Sequence, residues 1–309
     1  MNSKIKGSIY GLFSAAFYGM NPLFTLPLYA AGMTTNSVLF WRYLLALPIL
    51  AIMVRMRGQS LKIGRKLIFP VIALGLLMGY SSLALFLSYR YMDAGIASSL
   101  LFVYPLMVAL IMTFFFHEKL TLQTILCLIM AGGGIYMLYT GGSSGSMLSA
   151  AGTLLVMSSS LSYAIYIVCV NFPVIRQIPT VVLTFYVIAS GWLIFGASAL
   201  IEGNLDIPSS PTLWLITIAL SLLPTVASLI LTTMSIQTIG STATAILGVF
   251  EPVTALVFGV LVFGEHLSVS DIIGLILILV AVCTVIGGEN VSHQLLRIKK
   301  LFPKRKRGN

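Results

Sequence analysis

The 309-residue chain is 58% hydrophobic and only 8% charged, with a net charge of +10 and a mean hydropathy of +1.03. Soluble domains carry about 25% charged residues, so a soluble globular fold is excluded; disorder, a collagen-like fibre and a small disulfide scaffold fail as well, since each needs a polar, repetitive or cysteine-dense composition. What remains is an integral membrane protein whose basic residues gather at segment ends, a pattern of membrane topology and not of nucleic-acid binding.

Apolar segments 1 to 10 run at 7–30, 35–54, 67–88, 94–116, 122–140, 147–170, 181–201, 211–234, 241–263 and 270–287. Each approaches the roughly 20 residues a bilayer-spanning helix needs. They are too long and continuous for barrel strands, and hydrocarbon leaves no backbone group unpaired, so all ten are predicted to be helices. The polar stretches 55–66 and 289–309 are too short to fold as domains.

Segment 1 follows Lys4 and Lys6, as a signal peptide would, but runs on through Asn21-Pro22 without a small-x-small cleavage site and reads as a retained helix. Ser14, Tyr18, Asn21 and Thr25 share one of its faces, while Gly7, Gly11, Ala15 and Gly19 form a second stripe suited to close helix packing. Segment 2 carries Arg42 between Trp41 and Tyr43; segment 3 carries Tyr80, Ser81 and Ser88; segment 4 carries Tyr104-Pro105. Segment 6 repeats the first stripe as Ser159, Tyr163 and Tyr166, and segment 8 presents Pro224, Thr225, Ser228, Thr232 and Ser235. Trp192 and Trp214 read as packing or interface anchors. Glu251-Pro252 lies in segment 9. Cys127, Cys169 and Cys283 fall in or beside apolar runs without paired spacing, so they read as buried hydrophobes rather than as a disulfide or zinc framework.

With the N-terminus in the cytoplasm, every Lys and Arg except Arg90 and the intrahelical Arg42 falls on the cytoplasmic side, so both termini are expected there. Val291, Leu295, Ile298 and Phe302 recur at helical spacing among basic residues. The tail 289–309 is therefore expected to lie as an amphipathic helix on the anionic lipids of the inner leaflet.

The chain also repeats itself. At an offset of 147, Leu100/Leu247, Pro105/Pro252, Phe116/Phe263, Glu118/Glu265 and Leu120/Leu267 are identical pairs. A shared Pro and Glu thirteen residues apart cannot be ascribed to greasy composition. Five segments separate the copies, and five is odd, so the copies cross the membrane in opposite senses. The expected fold is all-α: ten transmembrane helices as two inverted-topology five-helix repeats, 1–142 and 147–288, followed by the tail.

With these halves, the phrases Glu118-Lys119-Leu120-Thr121 and Glu265-His266-Leu267-Ser268, a Pro inside each preceding helix and the Gly132-Gly133-Gly134 run of segment 5, the chain resembles the drug/metabolite transporter superfamily in its ten-helix form built from two EamA-type repeats. The resemblance spans nearly the whole chain. It implies a carrier of the bacterial-type inner (plasma) membrane, usually an exporter, with a central cavity lined by both halves, no ATP requirement and no cofactor. It says almost nothing about substrate. His117 stands where Gly264 stands in the second copy, and Tyr104 where Glu251 stands.

Glu251 is the sharpest candidate, a carboxylate about ten residues from either end of its segment, where an ionised group is costly unless paired or hydrated. Either it caps backbone groups freed by Pro252, or it binds substrate or carries a coupling proton. Arg42 either snorkels to the surface or attracts a carboxylate or phosphate on the substrate. Tyr18, Asn21, Tyr80, Tyr104, Tyr163 and Tyr166 are the further candidate substrate contacts, each equally able to serve inter-helix hydrogen bonds. Pro105 and Pro252 are candidate hinges or static kinks.

Rival classes lack their parts. An intramembrane enzyme would need a nucleophile with a base, a carboxylate pair or a metal cluster, and a P-loop for ATP drive is absent. Short loops offer a scaffold little surface, and a passive channel differs from a carrier in lacking counterflow. The expectation is a secondary transporter of small metabolites, an exporter of amino acids or related compounds by alternating access, with proton coupling through Glu251 and oligomeric state open.

Overall fold

The computed structural model describes residues 3–116, 149–203, 205–248, 250–264, 268–270 and 272–277, with helical positions at 126, 129–130, 133–134, 136–137 and 280. The elements in chain order are α1 Ser3–Gly19, α2 Asn21–Ala30, α3 Thr35–Met56, α4 Arg65–Ser88, α5 Ala94–Leu101, α6 Tyr104–Phe116, α7 Ala150–Val170, α8 Pro173–Arg176, α9 Thr180–Glu202, α10 Pro211–Leu220, a π-helical stretch Ser221–Ala227, α11 Ser228–Ile239, α12 Ser241–Leu247 and α13 Phe250–Phe263. Most of segments 5 and 10, Cys127, Cys283, Glu118, Glu265 and the tail lie outside the described residues.

The result is an all-α, multi-pass bundle. Five helical runs among the described residues are long and apolar enough to cross a membrane: Thr35–Met56, Arg65–Ser88, Ala150–Val170, Thr180–Ala199 and Pro211–Ile239. The 22 residues of α3 reach about 33 Å at 1.5 Å per residue, close to the hydrocarbon thickness.

Segments 1, 4 and 9 depart from the single helices expected, because each is two helices end to end. The breaks follow from proline, which lacks an N–H and whose ring clashes with the carbonyl four residues earlier. Those residues are Leu101 for Pro105 and Gly248 for Pro252; α5 ends at Leu101, and α12 ends at Leu247 with Gly248 in a turn. Segment 8 meets the same conflict differently. Its α10 ends at Leu220, four before Pro224, and the chain widens into the π stretch while Thr225 Oγ1 donates to the freed Leu220 carbonyl at 2.9 Å. Segment 1 opens at Met20, just ahead of Pro22 in the first turn of α2.

Packing pairs α1 with α11, α4 with α7, and α9 with both α3 and α4; α13 packs on α1 and α5, α6 on α7, and the π stretch on α3. Exchanging each segment with the one five along leaves this pattern unchanged, α1–α11 becoming α7–α4 and α1–α13 becoming α7–α6. The correspondence reaches individual bonds. Ser14 Oγ donates to the Ser228 carbonyl at 2.8 Å and Ser228 Oγ returns a bond to the Ser14 carbonyl at 3.0 Å. In the other half, Ser81 and Ser159 exchange the same bonds at 3.1 and 2.7 Å. Glycines permit close helix approaches: a Cβ on Gly11 of α1 would stand 2.9 Å from Ser235 Oγ of α11, and one on Gly79 of α4 2.9 Å from Gly191 Cα of α9.

Two ends of the bundle are defined by their loops. At one, Thr34 N–H donates to Asp206 Oδ2 at 2.7 Å, Asp206 N–H to Ser37 Oγ at 2.8 Å and Trp41 Nε1–H to the Asp206 carbonyl at 2.9 Å. Arg90 adds bonds to Thr35 Oγ1 at 2.9 Å and the Met33 carbonyl at 3.0 Å. At the opposite end Arg176 donates to the Gln237 carbonyl at 2.6 Å, Thr180 Oγ1 to Gln237 Oε1 at 2.8 Å and Ser241 Oγ to the Ile167 carbonyl at 3.0 Å, and Gly7 rests on Ile239. Thus α1 begins where α7 finishes, and the two helices run in opposite directions.

Candidate substrate-binding site

The site lies where α1, α6, α7, α11 and the junction of α12 with α13 converge. Tyr18 of α1 and Tyr163 of α7 occupy matching places in the two halves and stack on one another, ring centroids 5.9 Å apart and planes 6° from parallel. Tyr166 stacks on Tyr163 at 6.1 Å, and Tyr104 meets Tyr163 edge-on at 4.8 Å. Among them is a small buried cavity lined by Gly11, Ser14, Tyr18, Tyr104, Tyr163, Thr232, Thr244, Gly248 and Glu251. It measures about 10 Å³, the room a single water needs, so a metabolite requires it to widen.

The helix breaks place this chemistry. Tyr104 is the first residue of α6 and Glu251 the second of α13, so two half-helix N-termini meet at the cavity. Glu251, expected in mid-helix, stands instead in a first turn, the position a helix N-terminus favours for a carboxylate. Gly19 brings α1 directly onto the Glu251 carbonyl, where no side chain would fit.

Arg42 forms a second pole. It is wholly buried and does not reach the surface. Its Nε donates to Thr225 Oγ1, the hydroxyl set in place by the π stretch, and its guanidinium lies 4.9 Å from the Phe86 ring and 5.8 Å from the Tyr43 ring. Nη1 and Nη2 have no hydrogen-bond partner among the described residues, nor do the buried Tyr18 and Thr25 hydroxyls or the Asn21 amide. Tyr18 lies within electrostatic reach of both Arg42 and Glu251.

Of the sequence candidates, Tyr18, Asn21, Arg42, Tyr104, Tyr163, Tyr166 and Glu251 are each at most 5% exposed, whereas Tyr80 is 46% exposed and bonds Ser158 on the bundle's exterior. Pro105 and Pro252 stand just past the two breaks. Thr225 and Phe86 were not singled out as partners of Arg42. Only Thr225 left a trace in the sequence, as a hydroxyl directly after a helix-breaking proline. No group of three or more His, Cys, Asp or Glu side chains able to hold a metal occurs among the described residues.

A model of the EamA-like transporter family matches residues 5–140 and 150–287. The chain belongs to that family. As an EamA-like protein it is a multi-pass membrane transporter and not an enzyme. Its fold is shared with a crystal structure titled simply that of a protein, 17% identical, with a TM-score of 0.69 over 90% of this chain and 96% of the other. No curated protein matches the EamA-like chain in sequence.

Proposed function

We infer that the protein is a ten-helix carrier, with 1–142 and 147–288 as inverted repeats, that exports small metabolites, amino acids or related compounds, across the inner membrane by alternating access. The observation that carries this reading is the small buried cavity between matching residues of the two halves, Tyr18 with Tyr163 and Tyr104 with Glu251. A permanent pore would not narrow to the size of a single water at the one buried carboxylate among the described residues. The mirrored serine pairs, the matching helix breaks and the opposed α1 and α7 support the inverted repeat. Lys6, Arg55, Arg57, Lys62, Arg65, Lys66 and Arg176 share one end, which supports placing that end and both termini in the cytoplasm.

In this reading Arg42 takes an acidic group of the substrate, the tyrosines its apolar or aromatic part, and Glu251 a coupling proton. The test compares metabolites in the medium of cells expressing wild type and Glu251→Gln at matched membrane levels. Wild type should enrich one class of compound, and Glu251→Gln should lose that enrichment or its response to medium pH. Export by Glu251→Gln with wild-type rate and pH response would remove Glu251 from the mechanism.

A further inference from the structure

Away from the central cavity, residues 57–64 between α3 and α4 roof a lateral groove of about 1000 Å³. Its floor is α9 through Tyr186, Ala189 and Leu193, and its walls are Leu47 of α3 and Ile68 and Ile72 of α4. From Tyr186 to Leu193 the floor runs about 10 Å along the helix axis. Ser60 and Lys62 stand at its mouth, and a neighbouring groove of about 500 Å³ on the far side of the same loop places Arg55 beside Ile52. The roof is tied down, because the Tyr186 hydroxyl donates to the Leu61 carbonyl.

Charge distinguishes this groove from an ordinary crevice between helices. Arg55, Arg57, Lys62, Arg65 and Lys66 are all exposed, and residues 1–92 contain no Asp or Glu. Asp93 and Asp206 belong to the opposite end, and Glu251 to the interior. Five cations of residues 55–66 therefore lie on or beside the loop that roofs an apolar slot between membrane-crossing helices, Lys62 in its lining, and among the described residues no carboxylate is placed at this end. A polar metabolite would match the rim but not the walls; an acyl chain with an anionic headgroup matches both.

We propose that this groove is a binding site for one anionic phospholipid, its acyl chain lying between α4 and α9 and its phosphate held by Lys62. Near an anionic headgroup each cation contributes about five-fold in affinity. The test reconstitutes the full chain in vesicles of equal phosphatidylglycerol and phosphatidylethanolamine, extracts it in mild detergent and weighs the intact protein with its retained lipids. Wild type should keep phosphatidylglycerol in about five-fold or greater excess. Lys62→Ala should cut that excess about five-fold, to near parity. Lys6→Ala, which removes a cation from the same end on α1, should leave it unchanged, and Ala189→Phe, which fills the floor, should reduce retention of both lipids. Equal retention of the two lipids by wild type, an equal loss in Lys6→Ala, or full retention in Ala189→Phe would each overturn the proposal.

Discussion

Arg42 is the residue whose surroundings ask for something that no described residue supplies. Aromatic faces can stabilise a desolvated guanidinium by about 2 kcal/mol, and Phe86 and Tyr43 are placed to do so, but rings cannot satisfy Nη1 and Nη2. A buried charge left unpaired costs several kcal/mol, and a carboxylate binding both nitrogens side by side would meet that cost. Arg42→Lys keeps the charge and loses the fork. It should raise the substrate concentration for half-maximal transport at least ten-fold, about 1.4 kcal/mol, with little change in maximal rate or thermal stability; an unchanged value would make Arg42 a packing residue. The sequence marked Arg42 because a cation in an apolar segment is expensive. It could not choose between surface and interior, since position along a segment does not give the rotation of the helix. Phe86 left no signal at all, being one of many aromatics in an apolar run.

At the scale of elements, the prolines were legible and their consequence only partly so. Pro105, Pro252 and Pro224 each had to disturb the carbonyl four residues back. Two disturbances became breaks and one a π turn, because at Leu220 a following threonine hydroxyl could take the freed oxygen. That choice depends on a side chain one residue beyond the proline, and no periodicity encodes it. The glycine stripes were read as packing surfaces, and the close contacts of Gly7, Gly11 and Gly19 agree. Where α4 crosses α9, backbone lies against backbone. A Cβ on Gly79 would stand 2.9 Å from Gly191 Cα and 3.2 Å from its carbonyl oxygen, whereas one on Gly196 would find nothing nearer than 3.9 Å. Backbone cannot yield as a side-chain tip can, so Gly79→Val should cost about 1–3 kcal/mol, read as a lowered unfolding midpoint in detergent. Gly196→Ala should be neutral within error, and equal tolerance of both would mean that the α4–α9 crossing is looser than described.

For the molecule as a whole, the small buried cavity and the two tied ends set the problem that transport must solve. The end carrying Asp206 joins the two halves, since Thr34 and Ser37 belong to the first and Asp206 to the second. Hydrogen bonds from the Thr34 backbone N–H and hydroxyl hold the Asp206 carboxyl below the usual carboxylate range. A depressed value means that the contact contributes fully above the unfolded carboxylate value and is lost only as pH falls through the still lower folded one. Neutral or mildly acidic surroundings therefore do not open this end by titrating Asp206. In the proposed function, opening comes instead from substrate or proton binding at the cavity, transmitted through the half-helices that start at Tyr104 and Glu251. If the halves rock about that cavity, Thr34 and Asp206 must separate in every cycle. Cysteines placed at 34 and 206 and joined by a short cross-linker should stop substrate counterflow in proteoliposomes, with full recovery on reduction and no effect of the linker on either single variant. Counterflow that continues at its full rate through the linked protein would mean that this end stays shut throughout transport and that access alternates by another route.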